Sequence, residues 1–218
     1  FRLYGRIAGM TGTAFSARQE FTDLYGLRTV PFRPHQGSLR YDWPTRFFIS
    51  KPDKLAAAVQ EAKKAISDKA ALLIVGRTIS AAKECSALLE SNGIDHQLLH
   101  ASVGSGEVDI IRRAGGPGMI TVATNMAGRG ADIVIDESMR GKTGLRVLGL
   151  EHNNSRRIDD QLRGRSGRQG GFGETQIFIS LEDELPQSYA DEEFWNYADG
   201  LNWTPEGVVD AALLRGVG

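Results

Sequence analysis

The chain has 218 residues, and its 26 Lys or Arg against 27 Asp or Glu give a formal net charge of −1. Apolar residues make up 41% of it and charged residues 24%, which excludes a disordered, collagen-like or coiled-coil chain. The length predicts one large globular domain or one and a half small ones. The near-neutral charge argues against a surface that is basic throughout, as nucleic-acid binding would favour.

The cysteine content, the apolar runs and the first residue lead to three further expectations. Cys85 is the single cysteine, which excludes an internal disulfide and a metal site built from several cysteines. No apolar run approaches the roughly 20 residues of a membrane-spanning helix and no leader is visible at Phe1, so we expect a cytosolic protein. Because the chain starts at Phe1 without a methionine, we interpret it as a piece of a longer protein.

Strand-like and helix-like segments alternate along most of the chain. We predict strands at 46–49, 71–75, 97–99, 119–123, 132–135, 145–148 and 176–179, and helices at 55–66, 80–89, 107–113 and 155–164. This alternation indicates βαβ units, and therefore an α/β fold with a mostly parallel sheet and helices on both faces. From Pro186 onward, acidic and aromatic residues precede a further predicted helix at 205–214. We therefore assign residues 1–185 to the main domain and 186–218 to a helical extension.

Parallel sheets bind ligands at the carboxyl ends of their strands, so we expect chemistry in the loops after Val75, Ala123 and Leu148. The segment 161–170 is the strongest candidate for chemistry. If the helix continues through it, Gln161, Arg165 and Arg168 share one face and present two guanidiniums to an anion such as phosphate. The alternative is a solvated basic helix. The glycines inside the segment favour close approach to a ligand or neighbour, because glycine is costly within a helix.

Two glycine-rich segments are weaker candidates. In the first, at 123–133, glycines permit tight turns, Arg129 supplies a cation and Asp132 offers an acceptor for a ribose hydroxyl. A plain connection with a surface arginine explains this segment equally well. The second, at 9–14, places threonines around Gly12, and a turn with side chain–backbone hydrogen bonds is an equally good interpretation.

A third segment imitates a phosphate loop without satisfying its pattern. Gly141, Lys142 and Thr143 match its end, but the earlier glycine that the pattern requires would fall on Asp136. The four histidines have no metal-ligand spacing, so we assign no metal site to the chain.

Taken together, these segments resemble one family. Their order and spacing closely resemble the second nucleotide-binding domain of SecA, the ATPase family that drives bacterial preprotein translocation. The resemblance extends from Phe1 to about Leu185. The motifs that carry it are Gly-Met-Thr-Gly-Thr-Ala at 9–14, Ala-Thr-Asn-Met-Ala-Gly-Arg-Gly at 123–130, Ser-Arg-Arg-Ile-Asp at 155–159, Gln-Leu-Arg-Gly-Arg-Ser-Gly-Arg-Gln-Gly at 161–170 and Ser-Leu-Glu-Asp at 180–183.

The resemblance implies a RecA-like domain of the helicase superfamily. ATP with Mg²⁺ would sit in a cleft against a first nucleotide-binding domain, which would carry the phosphate loop, the Mg²⁺ ligands and the catalytic glutamate. We therefore expect this chain alone to hydrolyse no ATP. By position, Arg168 resembles the arginine finger at the γ-phosphate, with Arg165 beside it as a second catalytic arginine. Asp132 resembles the ribose contact, and Arg129 and Gly128 belong to the same nucleotide-binding segment.

Further roles and partners follow from the same resemblance. Gln161 would support the arginines, and Thr11, Gly12 and Thr13 would couple nucleotide state to domain movement. The implied partners are the first nucleotide-binding domain, a preprotein substrate and a membrane translocation channel, with no nucleic acid. The implied location is the cytoplasm, with peripheral association with the membrane.

The chain departs from the family pattern at Arg77, Ser102, Ala131 and Gly171, which indicates a divergent or accessory member. Two other functions remain open. One is a half-domain of a nucleic-acid helicase of the same superfamily, which the arginine motif fits equally. The other is a non-catalytic interaction module with a vestigial nucleotide face.

Overall fold

The structure is a computed structural model that describes residues 3–33, 35, 37, 39–99, 107–125 and 132–216. Its strands form one sheet in the order β1-β7-β6-β3-β5-β4, with β2 also paired to β7, and all of these pairs are parallel. The strands are β1 Leu39–Asp42, β2 Arg46–Phe48, β3 Ala71–Gly76, β4 Gln97–Leu99, β5 Ile120–Thr124, β6 Leu145–Gly149 and β7 Phe172–Ser180. The predicted parallel α/β sheet is confirmed.

Helices connect the strands and extend the chain beyond β7. The α-helices are α1 Arg18–Tyr25, α2 Lys51–Ser67, α3 Ile79–Ser91, α4 Glu107–Arg113, α5 Arg156–Arg163, α6 Glu184–Tyr189, α7 Glu192–Asp199 and α8 Ala211–Gly216. Short 3-10 turns lie at Phe15–Ala17, Glu137–Met139 and Arg168–Gly170. Among the described residues, no helix combines the length and apolarity needed to cross a bilayer.

Helices on both faces of the sheet explain the uninterrupted apolar run of β3. Leu72 and Ile74 pack with α2 and α3 on one face. Leu73 and Val75 point to the other face, where they pack with Leu162 of α5. Because alternate residues of a strand point to opposite faces, a strand covered on both sides is apolar throughout. Cys85 of α3 is buried in the first of these cores, as expected of a small core residue.

The C-terminal helices cover the β2–β7 edge of the sheet. Phe194 and Ala198 of α7 and Leu213 of α8 share an apolar cluster with Phe47 of β2 and Ile177 of β7. Phe47 also exchanges two backbone hydrogen bonds with Val208, at 2.7 and 2.8 Å. The division of the chain after residue 185 stays a prediction.

Two predicted elements are wrong. Residues 132–135 do not form a strand in the described structure. They pass close to Gly115, where an added Cβ would lie 1.9 Å from the carbonyl oxygen of Val134. Ile133 and Ile135 pack against the second core, and this alternation imitates a strand. The predicted helix at 205–214 begins only at residue 211, because residues 204–208 form a turn that pairs with β2.

Candidate functional site

The two candidate arginines lie on a turn and not on a helix face. α5 ends at Arg163 with Gly164 as its cap, close to the predicted bounds 155–164, so the helix does not continue through Arg168 and the shared face that such a continuation would give does not form. The backbone tightens after this point, since the Arg165 amide donates to the Leu162 carbonyl at 3.1 Å. Gln161 remains on α5 and is exposed to solvent. It is not among the described residues that line the cleft beside Arg165 and Arg168, which is described below.

Ser166 holds the turn between the two arginines. Its side chain is only 2% exposed, and its Oγ donates to the Leu145 carbonyl of β6 at 2.6 Å. Gly173 of β7 passes so close that an added Cβ would lie 2.0 Å from Ser166 Oγ. The buried serine therefore anchors the backbone between Arg165 and Arg168 to the start of β6. Sequence reasoning missed this anchor, whose only signal is a small hydroxyl residue between the two arginines.

The turn forms one wall of a cleft of about 430 Å³. The charged residues among its described lining are three arginines, Arg140, Arg165 and Arg168, and one acid, Asp132. The first residues of β1, β6 and β7 also line it, so this cleft lies at the amino ends of those strands. The sequence predicts a ligand site at the carboxyl ends, whereas the turn that carries the arginines follows α5, which returns the chain from the end of β6 to the start of β7. An excess of positive charge makes the cleft suited to an anion.

Arg168 and Asp132 meet at this cleft. Arg168 Nη1 donates to Asp132 Oδ1 at 2.8 Å, and Arg168 Nε donates to the Gly164 carbonyl at 2.9 Å. Their side chains are 42% and 39% exposed, so both remain accessible to a ligand. Sequence reasoning selected these residues from separate motifs, and the structure brings them together.

Arg165 is more enclosed than Arg168. Its Nη2 donates to the Asn125 carbonyl, just beyond β5, at 3.1 Å. Burial lowers the pKa of Arg165, and the neighbouring charge of Arg168 lowers that pKa further. Arginine side chains nevertheless stay protonated in proteins. Two guanidiniums whose charges oppose each other are stabilised by an anion placed between them.

A polar cluster links the loops at the carboxyl ends of β5 and β6. Asp159 of α5 is buried, and its Oδ1 accepts hydrogen bonds from the backbone amide and the side-chain Nδ2 of Asn153, at 3.0 and 2.7 Å. Its Oδ2 lies 2.6 Å from His152 Nδ1. The side-chain oxygen of Asn153 accepts in turn from Asn125 Nδ2. Sequence reasoning expected chemistry at these strand ends but did not select these side chains.

The remaining candidates are distributed as follows. Gly128 and Arg129 lie outside the described residues. The backbone amide of Thr13 donates to Thr11 Oγ1 at 3.2 Å, which forms the expected threonine turn around Gly12. The 3-10 turn Phe15–Ala17 that follows contacts α5. This contact connects the threonine segment to the helix that leads into the arginine turn.

The segment 141–143 does not have the surroundings of a phosphate loop. It follows a 3-10 turn and leads into β6, whereas a phosphate loop leads from a strand into a helix. Among the described residues, no group of three or more His, Cys, Asp or Glu side chains is placed to hold a metal ion.

A second polar cluster lies at the carboxyl ends of β3, β6 and β7. Lys54 of α2 and Asp183 are both buried, with Lys54 Nζ 2.6 Å from each carboxylate oxygen and 2.7 Å from the Leu150 carbonyl. Arg77 Nε donates to Glu151 at 3.0 Å, and Arg77 also pairs with Glu184. Burial raises the pKa of Glu151, and the Asp183 charge adds to the rise. These opposite charges pair with each other and leave no excess for an anion.

Comparison with known proteins identifies close relatives. A family model described as the SecA P-loop domain matches residues 37–143 and 136–205. Protein translocase subunit SecA of Clostridium botulinum is 40% identical over 214 residues, which cover 98% of this chain and 26% of that protein. The same subunit of Fervidobacterium nodosum is 41% identical over 215 residues, covering 98% and 25%. SecA 2 of Geobacillus thermodenitrificans is 40% identical over 193 residues, covering 88% and 24%. The chain thus spans about a quarter of the length of the curated relatives it matches.

Solved structures resemble this chain in fold. The DEAD-box protein SrmB of E. coli, solved bound to the regulator of ribonuclease activity A, superposes with a TM-score of 0.52 at 22% identity, covering 70% of this chain and 82% of that one. Dbp5 of S. cerevisiae, solved bound to RNA and ADP BeF3, gives a TM-score of 0.53 at 18% identity, covering 76% and 42%. Together with the parallel sheet, these similarities confirm the expected RecA-like fold.

Proposed function

Because the chain belongs to the SecA family, we propose that it is the second nucleotide-binding domain of an ATPase motor that drives preproteins across the bacterial cytoplasmic membrane. In this proposal ATP binds against a first domain, and the present chain closes over the phosphates. The cytoplasm is the proposed location, with peripheral association with the membrane. A preprotein and a membrane channel are the proposed partners, and we expect no nucleic acid among them.

The observation that carries the proposal is the pair of arginines at the cleft. Arg165 and Arg168 flank a buried serine on one rigid turn, and Asp132 lies within hydrogen-bond distance of Arg168. Guanidiniums match the geometry of phosphate oxygens, and a carboxylate accepts hydrogen bonds from ribose hydroxyls. The cleft therefore offers groups suited to phosphate and to ribose.

Each residue has a proposed role in turnover. Arg168 is the arginine finger, since its partly exposed guanidinium can exchange Asp132 for a γ-phosphate oxygen. Arg165 supplies a second positive charge from a more enclosed position. Asp132 contacts the ribose, and Gln161 supports the arginines. Gly128 and Arg129 contribute to the same nucleotide-binding segment.

Two further roles complete the proposal. Mg²⁺ accompanies ATP, and its ligands lie on the first domain, as does the catalytic glutamate. The segment containing Thr11, Gly12 and Thr13 couples nucleotide state to domain movement. The contact between the adjoining 3-10 turn and α5 supports this coupling role, because α5 leads directly into the arginine turn.

The experiment that tests the proposal is calorimetric titration of the full-length protein with ADP and with a non-hydrolysable ATP analogue. Wild type is compared with Arg168→Ala and with Arg112→Ala, a matched change at an exposed arginine of α4. We expect Arg168→Ala to weaken binding of the analogue while ADP binding stays nearly unchanged. Arg112→Ala should bind both nucleotides like wild type. Equal analogue binding by wild type and Arg168→Ala would overturn the assignment of Arg168 to the γ-phosphate.

ATP turnover gives a second readout. Arginine fingers contribute about 10³–10⁵ in rate, so Arg168→Ala should nearly abolish turnover in the full-length protein. Turnover near the wild-type rate would contradict the finger role and favour a vestigial interaction module. Duplex unwinding, or salt-dependent binding of single-stranded nucleic acid, would favour a helicase instead.

A further inference from the structure

A chain of polar contacts ties the beginning of α5 to the arginine beyond its end. It starts at Asp159, which is 7% exposed and accepts hydrogen bonds from Asn153 and His152. It passes from Asn153 to the side chain of Asn125. It ends where Arg165 Nη2 donates to the Asn125 carbonyl at 3.1 Å.

Asp159 is a fixed starting point for this chain of contacts. A buried carboxylate is costly unless it is hydrogen-bonded, so Asp159 stays where its donors are. Its Oδ1 accepts two hydrogen bonds from Asn153 and its Oδ2 contacts His152 Nδ1. The other ring nitrogen of His152 lies 3.3 Å from Thr45 Oγ1, which holds the imidazole from a second side.

The side-chain amide of Asn153 connects Asp159 to Asn125. Its Nδ2 donates to Asp159 and its Oδ1 accepts from Asn125 Nδ2, so the two ends of one amide are used in opposite directions. Rotating the amide by half a turn would place an NH₂ group against the NH₂ of Asn125 and an oxygen against the Asp159 carboxylate. The amide therefore has one favourable orientation, and it fixes the position of Asn125.

We infer that Asn153 is a positioning residue for Arg165: through Asn125 it holds the guanidinium of Arg165 at the cleft. The inference rests on the proposed function, because it assigns a purpose to the position of Arg165 in ATP turnover. The hydrogen bonds of Asn153 go to Asn125 and Asp159, and Asn153 is not among the described residues that line the cleft. We therefore expect it to affect turnover through Arg165.

The matched pair for testing this inference is Asn153→Ala against Asn154→Ala in the full-length protein. Asn154 is the neighbouring asparagine, but it is exposed and accepts from Arg77 Nη1 at 2.7 Å, away from Arg165. We expect Asn153→Ala to lower kcat about tenfold with little change in KM, and Asn154→Ala to leave both unchanged. Asn125→Ala, which removes the amide but keeps the backbone carbonyl, should reproduce the Asn153→Ala result if the latter folds poorly. The thermal unfolding midpoint of each variant separates misfolding from misplacement.

A double-mutant cycle with Arg165→Ala decides the outcome. If Asn153 acts through Arg165, adding Asn153→Ala to Arg165→Ala lowers kcat no further. An additional tenfold loss in the double variant, or wild-type kcat in both Asn153→Ala and Asn125→Ala, would overturn the inference. Arg165→Ala and Arg168→Ala are measured beside them. If both arginine variants lose turnover but Asn153→Ala lowers kcat further in the Arg165→Ala background, only the positioning role is overturned. If both arginine variants turn over ATP at the wild-type rate, the proposed function is overturned and the inference with it.

Discussion

Arg168 and Asp132 form an ion pair at the cleft that Arg140 and Arg165 also line, with 2.8 Å between Nη1 and Oδ1. Both side chains are more than a third exposed, so water and salt screen the pair. Surface pairs of this kind contribute about 0–1 kcal/mol to stability. The pair therefore contributes little to the stability of the fold.

Asp132→Asn tests this conclusion. We expect the free energy of unfolding to change by less than about 1 kcal/mol, since the lost pair is exposed. Nucleotide affinity of the full-length protein should fall, because the amide is a weaker acceptor for a ribose hydroxyl. Urea unfolding and calorimetric titration measure the two effects. A large loss of stability with unchanged affinity would show that Asp132 serves the fold instead.

The buried pair Lys54–Asp183 should behave in the opposite way. Both side chains are almost fully buried, so Asp183→Ala leaves an unpaired ammonium in the interior. Removing one partner of such a pair costs about 3–5 kcal/mol. Asp109→Ala breaks an exposed pair with Arg112 and should cost about 1 kcal/mol or less. Urea unfolding measures both variants, and equal losses would mean that burial does not govern the energy of these pairs.

Glu151 should give the protein a pH-dependent stability. Burial and the Asp183 charge raise the pKa of Glu151 above its ordinary value of 4.5. The unfolded chain therefore ionises this carboxyl first, and its contribution to stability falls as pH rises from about 4.5 through the folded pKa. Glu151→Gln should lose less stability than wild type over that interval. Parallel curves of unfolding free energy against pH for the two proteins would contradict the assignment.

Cys85 should be inert to thiol reagents in the folded protein. Its side chain is 1% exposed, and burial, with a contribution from the Glu84 charge, raises its pKa to about 12. The thiolate is the reactive form, so labelling at pH 8 should follow unfolding and accelerate with urea. A cysteine introduced by Ser67→Cys, at an exposed position of α2, should label at once. Rapid labelling of Cys85 without denaturant would show that the α3 core opens locally.

Local patterns predicted most of the central sheet and its covering helices. Ser50 and Thr78 accept hydrogen bonds from the backbone amides of Asp53 and Ala81, so α2 and α3 begin where their sequences place a capping residue. The apolar run of β3 likewise needs no knowledge of distant residues. By contrast, β1 is mostly exposed and lies at the edge of the described sheet beside β7, so its local sequence carries little signal.

The site was predictable in its residues and not in its geometry. Arg165, Arg168 and Asp132 stand in recognisable motifs, but the helix predicted at 155–164 does not continue to Arg168, because the chain turns at Gly164 and buries Ser166. The contacts of Asn153 depend on two strand ends that meet only in the folded sheet. No spacing within the sequence reports such an encounter.

The position of β7 sets an order in which this chain can fold during synthesis. β1 and β2 are made early, yet their ladders join Leu39 to Phe172 and Phe48 to Ser180. On the ribosome, β1 and β2 remain unpaired until β7 has also emerged. Such long-range pairing closes slowly, since a large loop of chain must first be brought together. Phe47 and Phe48 are fully buried in the folded domain, but during that interval their side chains are exposed, so chaperones can bind them and misassembly can occur.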